Sequence, residues 1–205
     1  MRIKICGITR YEDARVAANL GADALGFIFY PQSPRYISAV NAAQIIKKLP
    51  PFVSKVGVFV DETPERVVEI IKIAGLDTVQ LHGNEPPEYC EAMPVPVIKV
   101  FSIHDESDIA GISSYKTAGY LLDTWSPDRK GGTGKVFNWS VAVKACSLYN
   151  TVILSGGLGP SNLLEAIEAV HPFAVDVNSG VEISPGVKSP PKMKEAISIV
   201  KSFKV

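Results

Sequence analysis

An excess of charge of either sign is missing from this 205-residue chain: Lys and Arg together number 21, and so do Asp and Glu. Without a net field there is no long-range attraction for nucleic acid or an anionic membrane, so any anionic small molecule must be held by local groups. Cysteine is scarce too. Cys6, Cys90 and Cys146 are far apart, odd in number and without a CxxC pair or a histidine at ligand spacing. That pattern argues for free thiols in a reducing compartment, against a disulfide framework and against a zinc site. No apolar run approaches the ~20 residues needed to span a bilayer. The opening MRIKICGITR is too short and too charged to serve as a secretion signal. A cytoplasmic protein with no bound metal is expected. No linker or low-complexity stretch divides the chain, which reads as one domain over residues 1–205.

What the chain does have is a repeated alternation. Short β-branched and apolar runs predict strands at Arg2–Cys6, Ala24–Phe29, Ser54–Val60, Thr78–Leu81, Val97–Phe101, Tyr120–Asp123, Val152–Leu154 and Ala174–Val177. Runs such as GFIF, VGVFV and TVIL are apolar almost throughout, as in strands covered on both faces. Helix start signals fall between them: Thr63-Pro64-Glu65-Arg66, Gly159-Pro160-Ser161-Asn162, and Ser189-Pro190-Pro191 ahead of a last helix over Met193 to Phe203. Eight βα units predict a parallel α/β sheet, closed as a (β/α)8 TIM barrel; no GxGxxG follows the first strand to favour an open dinucleotide-binding sheet. The longest irregular stretch, Thr124 to Phe137, carries WSPDRKGGTGK and has the length of a functional loop.

Chemistry in such a barrel belongs at the C-terminal strand ends. There the chain places Cys6-Gly7, His82-Gly83, Asp123-Thr124, Ser155-Gly156-Gly157, and Asp176 running into Asn178-Ser179-Gly180. The two Gly-rich turns, after strands seven and eight, expose backbone N–H groups where such barrels bind phosphate, helped by a short extra helix start. Cys6 is either a small buried hydrophobe or a base whose thiol is helped to ionise by nearby positive charge. Asp123 either caps the loop that follows or faces a partly dry cavity as a general acid. His82 reads equally as a rim histidine, Asp176 as an acceptor of loop N–H groups, and Arg35, in YPQSPRYI, as a carboxylate grip or a solvated guanidinium.

These blocks resemble, in order and over nearly the whole chain, the phosphoribosylanthranilate isomerase family: KICGIT, GADALGFIFY, SPRYI, VGVFV, VQLHG, LLDT, GGTGKVFNW, LSGGL and DVNSGVE. The resemblance implies an Amadori rearrangement, needing no cofactor, of a phosphorylated aldose amine to an aminoketose. It implies that Asp123 is the general acid that opens the furanose ring and Cys6 the base that takes the C2 proton. It gives Arg35 the anthranilate carboxylate, the turns holding Gly156, Gly157, Asn178, Ser179 and Gly180 the phosphate, and the GGTGK segment a place over the site. His82 and Asp176 are expected in supporting roles, and the protein as a monomer or homodimer. One departure is VKSPPKM, where Ser189 replaces an expected Asp and is expected to cap the last helix instead. The alternatives are another phosphosugar barrel enzyme, such as indole-glycerol-phosphate synthase or the histidine-pathway aldose isomerase, and a non-catalytic phosphate-binding barrel. The synthase would need catalytic Lys and Glu at several strand ends, whereas Lys4 and Lys99 lie inside predicted strands. The histidine-pathway enzyme would be expected to carry Asp where Cys6 stands.

Overall fold

A computed structural model describes residues 1–103, 105–124 and 139–203. The GGTGK segment, expected over the site, lies outside the described residues. Eight parallel strands close into a barrel in sequence order: β1 (Arg2–Ile5), β2 (Ala24–Ile28), β3 (Ser54–Phe59), β4 (Thr78–Leu81), β5 (Val97–Ile103), β6 (Gly119–Thr124), β7 (Val152–Ser155) and β8 (Ala174–Val177). Between and after them run α1 (Tyr11–Asn19), α2 (Ala39–Ile46), α3 (Pro64–Ala74), α4 (Pro87–Glu91), α5 (Ser107–Ala110), α6 (Trp139–Leu148), α7 (Leu163–Val170) and α8 (Pro190–Ser202). The predicted (β/α)8 barrel is the observed one. Its seam joins the first strand to the last, with Lys4 opposite Asp176 and Ile5 opposite Val177.

The two-residue period of a strand sends alternate side chains outward and inward. Outward, Ile3, Ile5, Leu25, Phe27, Leu122 and Val175 join the helix residues Ala14, Val67, Leu163, Ile167, Met193 and Ile197 in one cluster. Each large side chain buried there contributes roughly 1.5–3 kcal/mol. Inward, the barrel is filled in tiers. Val100, Leu121, Ile153 and Ala174 make an apolar floor, and Cys6, Ile28 and Val58 pack together near the mouth. Between these tiers sit Lys4, Gln80 and Asp176, all buried and polar.

Helix α3 shows why its sequence stops and starts where it does. Thr63 accepts the N–H of Arg66, Pro64 opens the first turn, and Gly75 closes it at φ +71. Helix α8 differs from the prediction. It begins at Pro190 rather than Met193, because a proline suits a first turn, where its missing N–H has no helical partner. Ser189 precedes it, but its side chain makes no capping bond. A further difference follows β8: a short antiparallel pair, β9 (Glu182–Ser184) and β10 (Val187–Lys188), turns at Gly186 with φ +80. Three to two residues without alternation carry no strand signal, so this hairpin was not predicted.

Candidate active site

Cys6 follows β1 at the seam, where its N–H donates to the carbonyl of Val177 at 2.9 Å. Its sulfur packs on Ile28 and Val58, with Tyr30 against them, and only 4% of the residue is exposed. Burial pushes the thiol above its ordinary value; Lys4 and Lys188 pull it down and Asp176 pushes it further up. The positive charge expected beside Cys6 is therefore present, but burial outweighs it. The free thiol is harder to ionise than an exposed one, not easier.

Asp123 lies toward the end of β6, three strands from β1 around the ring through β8 and β7. Its Oδ2 is 3.3 Å from His82 Nε2, with both side chains partly exposed at the mouth. His82 is thus more than a rim residue: it faces the candidate acid. The turn that carries it is riveted from below. Glu85 accepts the N–H groups of Asp61 and Gly83, and Lys99 donates to Glu85 and to the carbonyls of Leu81 and Gly83. Both members of that ion pair are buried.

Arg35 lies across Gly7, whose φ is +73. A methyl there would come 2.8 Å from Arg35 Cδ and 2.6 Å from Asn178 Oδ1, so a side chain is excluded twice over. The Arg35 Nε and Nη2 fork onto Glu182 at 2.7–3.1 Å. Bidentate carboxylate capture is what its sequence context predicts, yet in the free protein the carboxylate is the chain's own. Lys188 Nζ also donates to Glu182, at 2.8 Å, and to the carbonyl and Oδ1 of Asn178. Burial alone would raise the Glu182 carboxyl; the hydrogen bonds from Arg35 and Lys188 outweigh it and hold the group below 4.5.

The turns after β7 and β8 meet backbone to backbone. Gly156 and Gly157 take φ +94 and +65. Asn162 ties the first turn to the start of α7 by accepting from the Gly159 N–H and donating to the Gly157 carbonyl. A methyl on Gly180 would come 2.1 Å from the Leu158 carbonyl oxygen and 2.7 Å from Gly159 Cα. Ser179–Val181 forms one 3-10 turn beside that contact.

Asp176 is placed differently from its predicted role. Among the described residues it takes no loop N–H: its Oδ2 accepts Lys4 Nζ at 2.7 Å inside the barrel, and its Oδ1 is buried with no hydrogen-bond partner. Sequence reasoning also passed over Glu182, Lys188, Gln80, Glu85 and the charge on Lys4. For Lys4 a signal existed: it stands two residues before Cys6 and so shares its inward face.

Fold and mouth together define a (β/α)8-barrel enzyme, with titratable side chains and two glycine turns gathered at the C-terminal ends of the strands. Residues 3–199 match the family described as N-(5'-phosphoribosyl)anthranilate (PRA) isomerase. The chain belongs to that family. It is 48% identical over 203 residues to N-(5'-phosphoribosyl)anthranilate isomerase of Geobacter sulfurreducens, covering 99% of this chain and all of the relative. With the Pelobacter propionicus isomerase it shares 46% identity over 98% of this chain and 96% of the relative. The phosphoribosyl anthranilate isomerase structure from Thermotoga maritima superposes with a TM-score of 0.93 at 45% identity, covering 99% of this chain and 100% of that one. A phosphoribosyl anthranilate isomerase in complex with reduced 1-(o-carboxyphenylamino)-1-deoxyribulose 5-phosphate gives 0.90 at 42% identity, with the same coverage.

Proposed function

We propose that this enzyme catalyses the Amadori rearrangement of N-(5-phosphoribosyl)anthranilate to 1-(2-carboxyphenylamino)-1-deoxyribulose 5-phosphate, a step of tryptophan biosynthesis, with Asp123 as acid and Cys6 as base. The observation that carries this reading is the family match, supported by a thiol and a carboxyl at the C-terminal ends of β1 and β6 of one barrel. Asp123 gives its proton to the furanose ring oxygen. The C1–O bond breaks as the anthranilate nitrogen lone pair forms the Schiff base. The Cys6 thiolate then removes the C2 proton, its electrons moving toward the nitrogen to give an enolamine. Tautomerisation of the enolamine leaves the ketone. Only protons move, so the reaction calls for no cofactor.

The remaining mouth residues hold the substrate. Arg35 takes the anthranilate carboxylate through the guanidinium edge that Glu182 does not occupy. The turns around Gly156, Gly157, Asn178, Ser179 and Gly180 take the phosphate through backbone N–H groups. His82 supports Asp123, and Asp176 supports the sugar end of the site from below. The catalytic unit is the single barrel of residues 1–205, monomeric or homodimeric; one solved T. maritima structure is of monomers generated from the dimeric isomerase. Three unpaired thiols fit a reducing cytoplasm, and among the described residues no helix is long and apolar enough to cross a membrane. The balanced charge gives nucleic acid no purchase.

The direct test is turnover of phosphoribosylanthranilate generated in situ, followed by anthranilate fluorescence. A folded, phosphate-binding protein without turnover would leave the reading with the fold and the phosphate grip but not the reaction.

Two variants separate the binding groups. Arg35→Ala is expected to raise KM about ten- to a hundredfold, the loss of a charge-assisted pair, with kcat changed only a few-fold. An unchanged KM would remove the carboxylate contact. Gly180→Ala must push the turns after β7 and β8 apart, so inhibition by inorganic phosphate is expected to weaken about tenfold or more, one good hydrogen bond's worth. Unaltered phosphate inhibition would place the anion elsewhere.

A further inference from the structure

The barrel interior holds a charged tier that the acid–base steps leave unused. Lys4 and Cys6 are two residues apart on one strand direction, so both project inward. Lys4 Nζ donates to Asp176 Oδ2 at 2.7 Å and to Gln80 Oε1 at 2.8 Å, with about 5% of either charged side chain exposed. Gly26 on the neighbouring β2 opens the space between the two side chains. A methyl there would lie 2.7 Å from Cys6 Sγ and 3.0 Å from Lys4 Cε, so sulfur and ammonium-bearing carbon crowd the same spot. A buried ion pair gives up hydration that apolar side chains of equal volume would not, so stability alone does not account for this tier.

We propose that Lys4 is a positioning residue for the base: its ammonium, pinned by Asp176 and Gln80 one tier below Cys6, is the counter-charge against which the thiolate forms. The proposal rests on the reading of Cys6 as the base. Other groups bear on the sulfur from each side. Asp176 comes from β8 and opposes ionisation, and Lys188 comes from β10 and favours it. Tyr30 packs on the Cys6 cluster from beyond β2, and Arg35 lies across Gly7 with its charge committed to Glu182. Of the two lysines that bear on the thiol, Lys4 shares its strand direction and the crowded spot beside Gly26; burial opposes its charge, but Asp176 first and then Cys6 hold the ammonium above 10.5. Without it, a thiolate would form beside an unopposed carboxylate.

The test titrates the Cys6 thiolate by its ultraviolet absorbance in a Cys90→Ser/Cys146→Ser background, as a difference against Cys6→Ala. Lys4→Met is expected to move the midpoint up by about one to three units, the usual effect of a neighbouring opposite charge, and to move the alkaline limb of kcat/KM with it. Lys4→Arg keeps the cation and is expected to restore most of both. Because Lys4→Met strands a buried carboxylate, Lys4→Met/Asp176→Asn is compared with Asp176→Asn alone, and the same upward shift is expected. Coincident midpoints in both comparisons overturn the proposal, even if turnover is lost. A Lys4-dependent midpoint in an intact protein that does not turn over the substrate leaves the counter-charge standing and removes the acid–base reading instead.

Discussion

Cys6→Ala loses turnover by about a hundred- to ten-thousandfold, the range expected for removing a general base, while affinity for the aminoketose product stays within a few-fold. The sulfur touches Ile28 and Val58 and lies over Gly26, and no substrate-holding group is assigned to it, so its loss removes chemistry and not binding. Truncating one buried sulfur also leaves a small cavity, costing about 1 kcal/mol and a few degrees of melting temperature. That cost is too small to unfold the enzyme. A variant with near-normal rate would strike Cys6 from the mechanism. The pH dependence of the intact enzyme carries the same signature. The proposed base must be deprotonated and Asp123 protonated, so kcat/KM has a limb set by each group. Burial holds the thiol above its ordinary value of 9.0, so its limb belongs on the alkaline side. A profile flat from 9.0 upward in the free enzyme would assign the base to another group.

Asp123→Asn keeps the shape of the side chain and a polar atom to face His82, but it has no proton to give the ring oxygen. Turnover is expected to fall by about a hundred- to ten-thousandfold, with product affinity preserved and both kcat and kcat/KM reduced, since the interaction lost belongs to the transition state. Melting should change little, because the carboxyl is partly exposed and its contact with His82, at 3.3 Å, is a surface one. A rate above a few per cent of normal would refute the general-acid role. Ring opening in solution would then be fast enough to need no acid.

The barrel was legible because each wall strand announces itself. GFIF and VGVFV are apolar on both faces, and only a sheet covered inside and out requires that. The mouth was legible at Cys6, Asp123 and the two glycine turns because strand ends name their own position. What was not legible is who holds whom. Lys4 meets Asp176 across 172 residues and Arg35 meets Glu182 across 147, and nothing local to either residue specifies its partner before the barrel closes. Asp176 was read as a receiver of loop N–H groups for that reason, when its inward register aims it at Lys4. Glu182 stood inside the DVNSGVE block without a role, since its partner Arg35 sits in a different block, SPRYI, 147 residues away.

Closure of the first strand against the last gives the protein a built-in order of events during synthesis. Cys6 is synthesised long before Asp176, Asn178, Glu182 and Lys188, with six further strands between β1 and β8. A nascent chain can form hairpin-like βα units early, but the half of the pocket contributed by β1 and the half contributed by β8 stay strangers until the circle is drawn shut. Such long-range pairing is slow to form and exposed to aggregation while it waits. The barrel therefore waits for β8, and a chain stopped before it would carry Cys6 and Asp123 yet lack the strand that closes the wall beside β1.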